Sequence, residues 1–244
     1  MGAQKDDPLG HNYDPGAQPN ESPVHEVAIG PFFLSKYEMT QAQWRRLAGG
    51  ETPSCFKADT EFCGQQITLR NPVECVDWSM CDTVMMRQGL VLPTEAQWEY
   101  GCRAGSTTPW WTGQERESLR TPKLVANLSD QAAVRAEMVG EAIDWPEFDD
   151  GYAVHAPVGS LPGNRFGLHD THGNVREWCR DSIVSHAPAQ PASGQRLTGV
   201  AAHPSRGGDF QCGPGVARSA WREMHLPIAT VSILGLRPAR DVVP

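Results

Sequence analysis

Glycine and proline constrain this chain more than any other feature. Twenty-four glycines and twenty prolines are spread along 244 residues. Glycine opens backbone conformations closed to other residues, and proline removes a backbone donor, so both interrupt helices and strands. A chain interrupted this often forms short elements joined by long loops, not a helical bundle. Its length suits one large domain or two small ones. A net charge of −8 opposes a phosphate backbone and argues against a nucleic-acid partner. No apolar run approaches the length of a membrane span, which argues against a membrane partner. The opening segment, Met1 to Asp14, lacks the apolar core of a signal peptide, so the expected location is the cytoplasm.

Local signals place a mixed set of elements. Residues 1–22 are polar and predict an irregular arm that is part of the domain, with the body of the domain over 23–244. Val24 to Ile29 and Phe32 to Tyr37 read as strands on either side of Gly30-Pro31. Thr40-Gln41-Ala42-Gln43 and Thr94-Glu95-Ala96-Gln97 both have capping-box spacing. They predict helices from Thr40 to about Ala48 and from Thr94 to near Gly105. Asp77 predicts a third cap, with a helix to about Arg87. Residues 51–70, 105–165 and 185–204 read as loops, while Val216 to Arg222 and Leu234 to Arg237 read as strands. The expected class is α+β, loop-rich, with little regular structure.

Several residue sets carry chemistry. Asp170 and Glu177 bracket the tight turn at Gly173-Asn174, and such a turn exposes backbone carbonyls. Two carboxylates with carbonyl oxygens suit a hard cation such as calcium; the same spacing also fits a turn cap and an ion pair to a nearby arginine. Asp130, Glu137, Glu141, Asp144 and Glu147 read as a solvated face. Arg206, Arg218, Arg222 and Arg237 suit either an anionic ligand or structural pairing with Glu74, Glu99, Glu177 or Asp181. Seven cysteines are scattered. Cys55 with Cys63, or Cys75 with Cys81, are candidate pairs, and free thiols in a reducing compartment are the alternative. The histidines form no HxxxH or HExxH pair, and no GxSxG or phosphate-binding loop occurs.

Blocks along the whole chain resemble one known family. They include Asn71-Pro72-Val73-Glu74, Leu92-Pro93-Thr94-Glu95-Ala96-Gln97-Trp98-Glu99-Tyr100 and Gly173-Asn174-Val175-Arg176-Glu177-Trp178. Arg206-Gly207-Gly208-Asp209-Phe210, Ala217-Arg218-Ser219 and Gly235-Leu236-Arg237 follow in family order. Together they resemble the formylglycine-generating enzyme family, also called the sulfatase-modifying-factor domain. The resemblance implies a loop-rich variant of the C-type lectin fold and one or two calcium ions. One implied site comprises Asp170, the Gly173 and Val175 carbonyls and Glu177. The other comprises Asn127, the Leu128 carbonyl, Asp150 and the Tyr152 carbonyl.

The same resemblance bears on activity. Enzymes of the family use two nearby cysteines after the Arg-Gly-Gly block to bind copper(I) and activate oxygen. Here Cys212 falls at the first position, and no cysteine follows it. The expectation is a non-catalytic module that binds a protein or small-molecule ligand. Relatives of this kind are joined to serine/threonine kinases or are variable proteins of diversity-generating retroelements. On the second pattern the ligand surface would include Asp209, Phe210, Gln211, Gly213, Trp221, Glu223, His225 and Ile228. The alternative is a copper-dependent oxidase acting on a peptide cysteine, or a related small-molecule oxidase, with Cys212 as the catalytic ligand and Cys179 or His225 as a replacement for the missing sulfur.

Overall fold

A computed structural model describes residues 1–50, 52–120, 122–138, 144–182 and 202–242. Short elements appear in this order: β1 (Phe32–Leu34), α1 (Gln41–Ala48), β2 (Thr60–Phe62), β3 (Gln65–Ile67), α2 (Trp78–Met86), α3 (Glu95–Arg103), α4 (Gln131–Arg135), β4 (Arg176–Trp178), β5 (His203–Arg206), β6 (Glu223–His225), β7 (Leu234–Gly235) and β8 (Ala239–Asp241). The class is mixed α and β with long connections, as the density of glycine and proline predicts.

The caps follow the sequence signals. The Thr40 and Thr94 side chains accept from Gln43 N and Gln97 N, and each glutamine reaches back to its threonine N–H. Asp77 accepts from Met80 N at 2.7 Å. Helix α1 ends on Gly49 in the left-handed region, but α3 ends on Ala104, also left-handed, one residue before Gly105.

A four-stranded sheet runs in the order β6-β5-β4-β7, with β4 parallel to β7 and antiparallel to β5. Strands β1 and β8 pair separately and bring the two ends of the domain together. The main core gathers Trp44 of α1, Met85 of α2, Trp178 of β4 and Leu234 of β7. Trp98 and Cys102, four apart on α3, bury together against Cys179. Strand alternation then aims Trp178 and Glu177 to opposite sides of β4. Trp178 Nε1 donates to Val76 O, whereas Glu177 receives Trp98 Nε1.

Four sequence expectations change. Val24 to Ile29 forms no strand; its backbone meets Met1 O through His25 N and finds no ladder partner. Residues 51–70 are not simply loop, because β2 and β3 form a hairpin across Cys63-Gly64, both at positive φ. Val216 to Arg222 is a run of turns. Ser219 N donates to Pro109 O and Trp221 N to Arg218 O, so the chain curls and strand β6 begins only at Glu223. Of the expected 185–204 loop, 185–201 lies outside the described residues, and His203–Pro204 already belong to β5. Residues 1–22 pack closely against the body: Ala3 and Ala17 bury with Ala220, and Gly2 N donates to Glu99 Oε1 at 2.9 Å. Among the described residues no helix is long and apolar enough to cross a membrane.

Candidate functional site

The turn before β4 organises the centre of the molecule. Asp170, Gly173 and Asn174 all have positive φ, a conformation that glycine and, less readily, Asn and Asp tolerate. The turn rests on the 127–128 segment, with Asn174 N donating to Asn127 O at 2.9 Å. Asn174 also accepts from Ala156 N at 2.8 Å and donates to Glu38 Oε2 at 2.5 Å. Val175 N reaches the other Glu38 oxygen at 3.1 Å.

Three carboxylates converge beneath this turn. Glu177 and Glu38 are each at most 1% exposed and Asp170 is 4% exposed. Arg237, fully buried, donates to both Glu177 oxygens at 2.9 and 2.7 Å, and also to Ser35 O and His169 O. Asp170 accepts from Gly159 N at 2.7 Å. One guanidinium therefore faces Glu38, Asp170 and Glu177. Burial is the largest effect on Asp170 and pushes its carboxyl up to about 6, with Glu177 adding to it and Arg237 opposing. Burial also raises Glu38 well above the ordinary range, reinforced by Asp170 and Glu177. Such a cluster stores negative potential that a cation would relieve.

The residues of the two implied calcium sites sit on either side of the Asn127–Gly173 contact. At the first, Asn127 Oδ1 is buried without a hydrogen-bond partner, while its Nδ2 donates to Val154 O at 3.0 Å. Asp150 accepts from Leu128 N at 2.8 Å and Tyr152 N at 2.9 Å. The Leu128 and Tyr152 carbonyls accept no hydrogen bond among the described residues. An orphaned amide oxygen, a carboxylate and two free carbonyls are a hard-cation donor set, and this set fits calcium. Asp130 belongs to the same locality: it is fully buried, caps α4 and accepts from Asp150 N at 2.5 Å. The expectation that it lies on a solvated face is therefore corrected; Glu137, Asp144 and Glu147 are exposed, and Glu141 lies outside the described residues. The need to cap α4 and brace the 149–150 turn draws Asp130 inward. Burial raises Asp150, and Asp130 adds to that rise.

At the second site the Gly173 and Val175 carbonyls accept no hydrogen bond among the described residues. Glu177 Oε2 already receives Trp98 Nε1 and Arg237 Nε, whereas Oε1 receives one donor. Asp170, both carbonyls and Glu177 Oε1 are the oxygens available to an ion there. Glu38 was missed as a neighbour of this site, since its segment lies 136 residues from Asn174.

Cys212 lies elsewhere. It is 9% exposed and packs with Trp110, Leu119, Trp145, Phe148 and Ala217. Its Sγ accepts from Asp209 N at 3.1 Å. Burial holds the thiol far above its usual range, with Asp209 adding to the shift. Among the described residues no second thiol or imidazole approaches it within hydrogen-bonding distance. Cys179 is in the Trp98–Cys102 cluster, and His225 Nε2 bonds Ser205 Oγ at 2.9 Å.

The expected ligand surface divides. Asp209 and Phe210 are interior: Arg176 Nε donates to Asp209 at 2.5 Å, and Phe210 packs with Ile67 and Val154. Gln211, Gly213, Trp221, Glu223 and His225 are half-buried, and Ile228 is 77% exposed. Glu223 pairs with Arg176. The four arginines hold the fold together: Arg206 with Glu99, Arg218 with Asp14 and Glu21, Arg222 with Glu95, and Arg237 with Glu177.

A C-type-lectin-like, loop-rich domain with a buried polar centre is the class this architecture defines. Sulfatase-modifying factor enzyme 1-like domains match residues 8–242, and the chain belongs to that family. It is 29% identical over 250 residues to the serine/threonine-protein kinase pkn1 of Chlamydia caviae, covering 92% of this chain and 35% of the kinase. It is 28% identical over 235 residues to the formylglycine-generating enzyme of Mus musculus, covering 91% of this chain and 54% of that enzyme. The chain thus spans about a third to a half of these relatives. The solved Treponema denticola variable protein 1 shares the fold, with a TM-score of 0.71 at 21% identity over 99% of this chain and 92% of that one.

Proposed function

We propose that this domain is a calcium-stabilised, non-catalytic module that binds a protein or small-molecule ligand. The observation that carries the reading is Cys212. It is one buried thiol in an apolar cluster, with no second sulfur or imidazole within hydrogen-bonding distance among the described residues. A soft monovalent metal is held well by two thiolates and poorly by one. Likeness to a kinase over 92% of this chain supports association with a serine/threonine kinase.

Asn127, Leu128, Asp150 and Tyr152 would hold one calcium ion, and Asp170, Gly173, Val175 and Glu177 the other. Bound calcium supplies positive charge to buried carboxylates and ties the 127–128, 150–152 and 170–177 segments together. The ligand surface would be formed by the half-buried Gln211, Trp221, Glu223 and His225, with Asp209 and Phe210 supporting it from within.

Elemental analysis of the purified protein tests the reading. One or two equivalents of calcium and no stoichiometric copper are expected after dialysis against copper(I) with a competing thiol. Tight, stoichiometric copper that disappears in Cys212→Ser would replace this reading with the copper-dependent oxidase, which the position of Cys212 after the Arg-Gly-Gly block favours.

A further inference from the structure

Two thiols outside the sites above lie against each other. Cys55 Sγ and Cys75 Sγ are 2.8 Å apart, although 20 residues separate them in sequence. Cys55 is exposed and Cys75 half-buried. The pairings weighed from sequence, Cys55 with Cys63 and Cys75 with Cys81, do not form. Cys63 Sγ is directed to Ala136 O, and Cys81 is buried in the main core.

The contact is built by the backbone around it. Cys55 N and Phe56 N donate to the two oxygens of Glu74 at 3.0 Å each. Glu74 N in turn donates to Ser54 Oγ at 3.3 Å. Glu74 is fully buried, so these hydrogen bonds are costly to break. They strap residues 54–56 onto 74–75 and fix the approach of the two sulfurs.

A metal ion is the first alternative, because Cys55, Glu74 and Cys75 offer ligand atoms within 4.8 Å of one another. A further candidate ligand is His155, whose Nε2 lies 3.7 Å from Glu74 Oε1 and is buried without a hydrogen-bond partner among the described residues. Asn71 decides its proton. Asn71 Oδ1 accepts from Thr68 N and Oγ1, which orients the amide, and Asn71 Nδ2 then donates to His155 Nδ1 at 3.0 Å. With Nδ1 accepting, Nε2 carries the hydrogen and cannot ligate. Two sulfurs and a carboxylate already bonded to two amides leave a tetrahedral metal short of ligands.

We propose that Cys55 and Cys75 form a reversible thiol–disulfide site, closed by exchange with a small-molecule disulfide. The Cys55 thiolate attacks one sulfur of that disulfide. The external S–S bond breaks, and the departing thiolate takes up the proton Cys55 lost. Cys75 then attacks Cys55 Sγ in the mixed disulfide, the Cys55–Cys75 bond forms, and the second external thiolate leaves with the Cys75 proton. The protein loses two electrons and two protons, and the external disulfide gains both. Exposure gives Cys55 the first attack. Burial holds the Cys75 thiol up, with Cys55 and Glu74 adding to the effect, so Cys75 acts second.

The bond would reach the candidate ligand loop through a single aromatic contact. Phe56 follows Cys55 and packs edge-on against Phe62, His155 and Phe210, with centroids at 5.1, 5.3 and 5.8 Å. Phe210 lies between Asp209 and Gln211. Closing the disulfide would therefore restrain the contact between Phe56 and the buried Phe210 beneath that loop.

Oxidised glutathione serves as the probe. The full chain is incubated with it, alkylated, digested and analysed by mass spectrometry, beside Cys63→Ser and Cys75→Ser. The expected result is a peptide cross-linked between Cys55 and Cys75 in wild type and in Cys63→Ser, and a persistent glutathione adduct on Cys55 in Cys75→Ser. Wild type should also melt at least 5 °C higher oxidised than reduced, roughly the scale of closing a loop of this length, with no such shift in Cys75→Ser. A Cys55–Cys63 cross-link, or complete alkylation of Cys55 and Cys75 after oxidation, would overturn the proposal.

Discussion

Gly173 sits directly on the backbone of Asn127: a β-carbon at Gly173 would meet the Asn127 carbonyl oxygen at 1.9 Å. This one contact joins the two segments that carry the implied calcium ligands. At φ +89 the position is also one that L side chains rarely adopt. Gly173→Ala should therefore destabilise the domain by about 3 kcal/mol or more, through overpacking and backbone strain together. Chemical denaturation measures the loss, and calcium titration of the variant should show both ions weakened. Normal stability in Gly173→Ala would mean that the two segments are not in register as described.

Calcium dependence can be separated site by site. Asp170→Ala should lower the melting temperature, and chelation should lower wild type while moving this variant much less. Asn127→Ala should do the same for the other site. The proof lies in the comparison, since a structural role alone would leave the chelator response of each variant equal to that of wild type. Equal responses would remove these residues from any ion site.

The capping box at Thr94 gives a smaller, cleaner effect. Thr94 accepts from Gln97 N at 3.1 Å, and Gln97 Oε1 accepts from Thr94 N at 2.9 Å. Thr94→Ala should cost about 1 kcal/mol of unfolding free energy. Thr94→Ser should restore most of it, because serine keeps the capping oxygen.

Such caps were legible in the sequence because they are local: Thr40, Asp77 and Thr94 each close a hydrogen bond within three residues. The same locality misled at Val216 to Arg222. There the alternation reflects where Arg218 must go, to Asp14 and Glu21 some 200 residues earlier in the chain, and a turn delivers it. The hairpin at 60–67 had a local signal, an X-Gly pair at Cys63-Gly64, that composition hid within a polar stretch. At the polar centre, the bracketing carboxylates Asp170 and Glu177 could be read from spacing and resemblance. Glu38 could not, because only the tertiary fold brings β1's downstream segment to Asn174. Asp130 was hidden among neighbouring acids that do face solvent. Burial, not charge, distinguishes it, and burial is not a local property.

Acid stability should report on the Glu99 network. Burial would raise this carboxyl, but Arg103 and Arg206 outweigh that effect and hold it at about 2. A depressed carboxylate contributes stability that is present above its unfolded pKa, near 4.5, and is lost as the pH falls toward 2. Its contribution to the pH dependence is on the order of 3 kcal/mol across that window. In Glu99→Gln the unfolding free energy should be lower at neutral pH and fall less steeply between these limits. A variant whose stability tracks wild type in parallel down to pH 2 would show that the ion pairs to Arg103 and Arg206 do not set this titration.

Catalysis provides the sharpest test of the proposed role. No aldehyde should form on a Cys-x-Pro-x-Arg peptide incubated aerobically with the protein and copper(I). The reason lies in the surroundings of Cys212. Its thiol is shielded by Trp110, Trp145, Phe148 and Ala217, receives the Asp209 amide hydrogen, and is held protonated by burial. Copper there would have one protein sulfur and would exchange readily with free thiols. Cys179, one of the two replacements weighed from sequence, packs with Trp98 and Cys102 instead. Mass spectrometry of the peptide decides the matter. Conversion of its cysteine to an aldehyde, abolished by Cys212→Ser but retained in Cys179→Ser, would show that one sulfur suffices, and the domain would then be an oxidase after all.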